Sequence, residues 1–89
     1  MSFQEFNATA ISTATTTNIE TNSRQIKLHT VICPKATTGT VTFNDKAGTT
    51  YFVLPIGSIG TFIFDINLPN GLSIVTSAGD TVIANTAKL

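Results

Sequence analysis

Hydrophobic side chains in this sequence recur at every second position over short stretches. In GTFIFDINLPNGLSIVTS, residues 60 to 77, Phe62, Phe64 and Ile66 alternate with other residues, as in a strand that buries one face. Similar short stretches are residues 24 to 33, 39 to 45, 49 to 54 and 80 to 85. Turn-forming residues separate them, and no stretch repeats with a helical period. The pattern predicts an all-β protein, a single antiparallel β-sandwich or small barrel of about seven or eight short strands.

The N-terminal segment has a different composition. Residues 7 to 23 are rich in Thr, Asn and Ser, with isolated apolar residues at Ile11 and Ile19. The β-branched threonines favour extended structure. We therefore divide the chain into an N-terminal arm or edge strand, residues 1 to 22, and a β-sandwich domain, residues 23 to 89.

The segment Pro69, Asn70 and Gly71 predicts a turn between two strands. With Gly71 in the left-handed conformation, a three-residue loop would place Leu68 opposite Leu72 and keep the apolar side chains on one side of a hairpin. The Gly-rich segment GSIG, residues 57 to 60, is interpreted as a flexible connection between strands.

Some large apolar residues fall on the face that alternation leaves to solvent. Ile63 and Val75 both do so, and one such residue would need no explanation. A set that recurs in several strands indicates a second covered surface. The predicted interface residues are Val31, Tyr51, Val53, Ile63 and Val75. The alternative is a closed sandwich, in which these side chains are buried within the chain itself.

Composition favours contacts between proteins. The 89 residues suffice for one domain with a thin core, and only 11% are charged, with a formal net charge of zero. Five scattered basic residues do not form the cluster that binds nucleic acid. No apolar run is long enough for a membrane helix, and no secretion signal is recognisable, so we expect a soluble protein. The single cysteine, Cys33, cannot form a disulfide within the chain. A homo-oligomer would supply the missing stability.

Reactive side chains form no recognisable catalytic or metal-binding pattern. His29 and Cys33 lie about 13 Å apart on a strand, too far to share a metal ion, and His29 is interpreted as a surface or interface histidine. Asp45 and Asp80 fall in turns, where aspartate bonds nearby backbone N–H groups. We expect no enzyme activity, cofactor or metal; the enzymatic alternative is a small hydrolase that uses Asp45 or Asp65.

The segments GTVTFND, GTFIFDINLPNGLSIVTS and GDTVIA together resemble small virion proteins of tailed bacteriophages, including phages of cyanobacteria. The resemblance covers about residues 24 to 84. It implies a jelly-roll-like capsid decoration or cement protein, a homotrimer that binds the major capsid protein on the capsid exterior after synthesis in the host cytoplasm. It transfers no catalytic residues. The alternative is a head-fibre or tail-associated module that recognises a host surface glycan, although the sequence has no Trp and only one Tyr.

Overall fold

A computed structural model describes residues 6–22 and 24–88. Within these residues the chain forms eight strands and no helix. The strands are β1 (Asn7–Ile11), β2 (Thr16–Glu20), β3 (Ile26–Cys33), β4 (Val41–Asn44), β5 (Thr50–Leu54), β6 (Gly60–Leu68), β7 (Leu72–Thr76) and β8 (Val82–Lys88). The predicted all-β class and strand number are confirmed.

The strands form two antiparallel four-stranded sheets. Sheet I has the order β1-β8-β3-β6, and sheet II has the order β2-β7-β4-β5. This arrangement of eight strands in two packed sheets is a jelly roll, which confirms the predicted jelly-roll-like sandwich. β1 and β2 are edge strands of the two sheets, so the described N-terminal residues belong to the sandwich.

The core lies between the two sheets. Its largest fully buried side chain, Phe43 of β4, stacks on Phe52 with ring centroids 4.5 Å apart. The ring centroid of Phe52 is 4.8 Å from that of Phe64 in sheet I, so an aromatic cluster joins the sheets on the side of β5 and β6. The burial of these rings follows from the alternation that the sequence displays.

The alternation of β3 changes phase in the middle of the strand. Leu28 pairs with Thr86 of β8, and Thr30 pairs with the adjacent Asn85. Between these two pairs, β3 therefore contains one more residue than β8. Such a bulge exchanges the two faces of the strand. Val31 consequently points into the core and is fully buried. The prediction that Val31 lies at an interface is therefore wrong.

The chain crosses from sheet I to sheet II between β6 and β7. Leu68 pairs with Ile26 of β3, and Leu72 pairs with Glu20 of β2. The predicted hairpin between β6 and β7 is therefore wrong. Gly71 does adopt the expected left-handed conformation, with φ 74°.

Candidate interaction surfaces

The predicted interface residues do not share one face. Ile63 pairs with Thr30 and lies on the outer face of sheet I, where it is 70% exposed. Val75 and Val53 both pair with Thr42 and lie on the outer face of sheet II. Ile63 and Val75 are thus on opposite sides of the sandwich, because β6 and β7 belong to different sheets.

Tyr51 has a structural role in the turn between β6 and β7. Its hydroxyl donates a hydrogen bond to the carbonyl oxygen of Gly71 (3.0 Å) and accepts one from the backbone N–H of Asn70 (3.1 Å). The side chain is half-buried and packs against the core. Two partners therefore already occupy the hydroxyl on which glycan recognition would depend.

The outer face of sheet II has no charged side chain in its two paired rows. These rows are Thr16, Val75, Thr42 and Val53, and then Asn18, Ser73, Asn44 and Thr50. Short neutral side chains on paired strands make a flat surface that can approach another protein without removing a charge from water. The face is suited to contact over a broad area.

The outer face of sheet I is more apolar than that of sheet II. Its two central rows, again without charge, are Ala10, Ile83, Ile32 and Thr61, and then Ala8, Asn85, Thr30 and Ile63. Asn85 Nδ2 donates to Thr30 Oγ1 at 2.7 Å, so these central polar groups satisfy each other. Ile32 and Ile83 are half-buried.

Exposed aliphatic side chains concentrate at one edge of the sandwich. We call this surface the β5–β6 edge, and it consists of β5, β6 and the loop 55–59 between them. Five of the six exposed large hydrophobic residues in the described chain lie there. They are Val53 (47% exposed), Ile56 (67%), Ile59 (60%), Ile63 (70%) and Ile66 (37%). Such clustering is typical of contact surfaces, whereas scattered exposed residues are ordinary.

At the opposite edge, formed by β1 and β2, the large aliphatic side chains are shielded by the chain itself. Its apolar residues are Ile11, which is 3% exposed, and Ile19, which is half-buried against the core. Threonines occupy many of the remaining positions of β1, β2 and their connection. The two edges of one sandwich therefore differ in chemistry, and among residues 6–22 and 24–88 the exposed large aliphatic groups all lie at the β5–β6 edge.

Sequence reasoning missed Ile56, Ile59 and Ile66. Ile59 lies in the Gly-rich segment 57–60, which the sequence indicates only as a connection, and Ile56 directly precedes it. The alternation of β6 predicts that Ile66 is on the buried face. A signal for this surface does exist in the sequence, because residues 50 to 64 contain no charged side chain.

A second feature that the sequence did not predict is a cluster around His29. The ring nitrogen Nδ1 of His29 contacts a carboxylate oxygen of Asp65, which lies 36 residues away in sequence and has φ 47°. The ring of Phe6 lies over His29 with centroids 4.6 Å apart. The cluster joins the segment before β1 to β3 and β6. His29 is therefore a surface residue, as expected, with a carboxylate partner.

The two turn aspartates bind backbone amides, as predicted. Asp80 accepts hydrogen bonds from the N–H groups of Thr38 (2.9 Å) and Gly39 (3.0 Å), which lower the pKa of its carboxyl group. Asp45 accepts one from Thr49 (2.9 Å) with the same effect on its pKa. Both carboxylates therefore act as braces between segments of loop.

Other potential reactive sites are sparse in residues 6–22 and 24–88. No pocket and no cluster of metal-binding side chains occurs among them, and no helix there could cross a bilayer. Cys33 is buried inside the sandwich, and burial raises the pKa of its thiol. Its side chain therefore faces the core, whereas His29 interacts at the surface.

No family model matches the sequence, and no curated protein matches it either. Solved structures do share its fold. The nucleoplasmin-like N-terminal domain of Drosophila FKBP39 superimposes with a TM-score of 0.68 at 12% identity, over 96% of this chain and 88% of that one. The Drosophila NLP core has a TM-score of 0.58 at 11% identity, over 98% of each chain.

A third similar structure comes from Bacillus endospore appendages, which form a family of disulfide-linked pili. Its TM-score is 0.53 at 13% identity, over 98% of this chain and 88% of that one. At these identities the similarity concerns the fold alone. The β-sandwich fold of this chain is therefore similar to that of nucleoplasmin-like domains and a pilus protein.

Proposed function

We propose that this protein is a structural virion protein that decorates and stabilises a phage capsid. It is not an enzyme, and it acts through symmetric contacts between proteins. The observation that carries this proposal is the concentration of exposed aliphatic residues at one edge of a jelly roll, where residues 50 to 64 carry no charge. The two rows described above on each outer face are also without charge. The resemblance of residues 24 to 84 to small virion proteins supports the same assignment.

Weak contacts suffice for such a function because symmetry repeats them. Apolar surface contributes about 25 cal/mol per Å² when it is covered, so a patch of roughly 400 Å² per copy contributes up to about 10 kcal/mol before the costs of association. A subunit that contacts several neighbours combines such contributions through avidity. Neutral faces reduce the desolvation cost of each contact.

Self-association is part of the proposal. The Drosophila NLP core, which has a similar fold, forms pentamers, so a jelly roll of this kind is compatible with a closed ring. For this chain we propose three copies, the number that the resemblance to decoration proteins implies. The partner is the major capsid protein, and the place of action is the exterior of the virion after synthesis in the host cytoplasm.

The mode of assembly differs from that of the Bacillus appendages. Those pili are disulfide-linked, whereas the only cysteine of this chain is buried in the core. A buried thiol with a raised pKa is a poor nucleophile. The contacts that we propose are therefore noncovalent.

Binding to capsids tests the proposal. Capsids prepared without this protein are mixed with increasing amounts of the purified protein and pelleted. We expect the protein to sediment with the capsids and to saturate at a fixed number of copies per particle, because lattice sites are finite. Capsids of an unrelated phage are the control. Absence of binding, or equal binding to the control capsids, would contradict the proposal.

A further inference from the structure

We propose that the β5–β6 edge lies at the rotation axis of the homo-oligomer, where the aliphatic residues of each copy cover the same residues of its neighbours. The partner on this surface is therefore a second copy of the chain, and the capsid is bound elsewhere. This inference deepens the proposed function, since it requires the self-association proposed above.

The charge distribution favours a second copy as the partner. Near a rotation axis each side chain faces the same side chain of a neighbouring copy, so a charge would face an identical charge. Residues 50 to 64 contain no charged residue. The first charge beyond them in β6 is Asp65, and its partner is His29 of the same chain. The edge is therefore self-complementary in charge.

The exposed area also fits a contact between copies. Five aliphatic side chains that are 37% to 70% exposed provide on the order of 400 Å² of apolar surface, about as much as the largest patch on a typical monomer. A standard interface buries about 800 Å² per partner, and somewhat more than half of it is apolar. Because Val53 and Ile63 lie on opposite outer faces, this area is shared between the two neighbours of each copy in a ring.

The strand at this edge gives a further reason for it to be covered. β6 has nine residues, is the longest strand, and forms the end of sheet I. A long apolar edge strand presents unpaired backbone groups and invites pairing with other chains, so folded proteins shield such strands. On this edge, Phe62 and Phe64 are only half-buried by the chain itself. A neighbouring copy would complete their burial.

Disulfide trapping in the isolated protein tests the contact directly. At the axis, Ile59→Cys brings thiols of neighbouring copies together at millimolar local concentration. We therefore expect covalent dimers to form about a thousandfold faster than from Ala14→Cys in micromolar protein. Ala14 is also an exposed loop residue, but it lies between the two strands of the opposite edge. Equal rates of trapping would overturn the inference.

A charge at the same positions provides the second test. The double variant Ile56→Asp with Ile59→Asp should reduce the solution mass to that of one 9.4-kDa chain while the circular dichroism spectrum stays that of a folded sandwich. Ala14→Asp should keep the mass of the unmodified protein. A folded double variant with unchanged mass, or a parent protein that is monomeric at all concentrations, would overturn the inference. Capsid binding by the parent protein, measured separately, decides the proposed function.

Discussion

Asp80 accepts a hydrogen bond from the backbone N–H of Gly39 at 3.0 Å, although 41 residues separate them in sequence. Its other carboxylate oxygen accepts the N–H and the hydroxyl of Thr38. The loop between β7 and β8 is thereby joined to the loop between β3 and β4. Two separate crossings between the sheets are held in one arrangement at this end of the sandwich.

Replacing this carboxylate should loosen the loop between β3 and β4. Asp80→Asn removes one acceptor oxygen and turns an NH₂ group towards a backbone N–H. We expect the amide hydrogens of Thr38 and Gly39 to exchange several-fold faster, because charge-assisted hydrogen bonds are the stronger ones. The amide of Thr37, which donates to Ser58, is an internal control. Unchanged exchange at Thr38 and Gly39 would contradict the bracing role.

Stability should depend on the turn aspartates in acid. Hydrogen bonds from backbone N–H groups lower the carboxyl pKa of both aspartates in the folded state below the ordinary 3.8. The largest effect comes from Thr49 for Asp45 and from Thr38 for Asp80. The unfolded chain then binds more protons at pH values between the folded and unfolded pKa. This stabilisation is fully present above the unfolded pKa and is lost as the pH falls through the folded pKa.

Urea unfolding between pH 6 and pH 2 measures this effect. We expect the free energy of unfolding of the parent protein to fall below about pH 4, the ordinary range of an aspartate pKa. The double variant Asp45→Asn with Asp80→Asn should be less stable at pH 6 and should show a shallower fall in acid. A fall of the same size in parent and variant would show that other carboxyl groups dominate.

Two valines distinguish the core from the outer face. Val31 is fully buried, so Val31→Ala should lower the free energy of unfolding by about 2 kcal/mol through lost burial and the cavity left behind. Val75→Ala makes the same change on the outer face of sheet II and should cost less than about 1 kcal/mol. Both are measured at one protein concentration, because association contributes to apparent stability. Equal costs would contradict the bulge in β3.

Gly71 should be the glycine least tolerant of a side chain among those with positive φ. A Cβ at Gly71 would lie 2.6 Å from the carbonyl oxygen of Glu20, and φ is 74°. Gly48, with φ 92°, has nothing within 4 Å of such a Cβ. Gly48→Ala should therefore lower the free energy of unfolding by only about 1–2 kcal/mol, the strain of a left-handed backbone with a Cβ. Gly71→Ala should lower it by at least about 1 kcal/mol more, because of overpacking. Thermal unfolding of both variants tests this difference, and equal losses of stability would contradict it.

The sequence predicts strands well because period-two alternation is local. Pro34 ends β3 and Gly71 is left-handed, as the sequence indicates. The sheet that each strand joins is less predictable, because a turn such as residues 69–71 suits both a hairpin and a crossing between sheets. Here Leu68 pairs with Ile26, and that partner is distant in sequence.

The exposed aliphatic surface at the β5–β6 edge could be predicted from the sequence only in part, and the reason differs from residue to residue. Ile63 is exposed, and its alternation indicated this. Val31 is buried because of a one-residue bulge, which leaves no mark in composition. Ile56 and Ile59 lie in a loop, where alternation carries no information about which side chains face solvent. Their exposure follows only from the place of loop 55–59 between the last strands of the two sheets.

The most direct test of the proposed function is the temperature at which phage particles release their DNA, measured on particles prepared with and without this protein. If the protein stabilises the capsid, particles that lack it should release DNA at a lower temperature. Adding the purified protein should restore the higher temperature. Release at the same temperature from both kinds of particle, with the protein shown to be bound to one of them, would contradict a stabilising role.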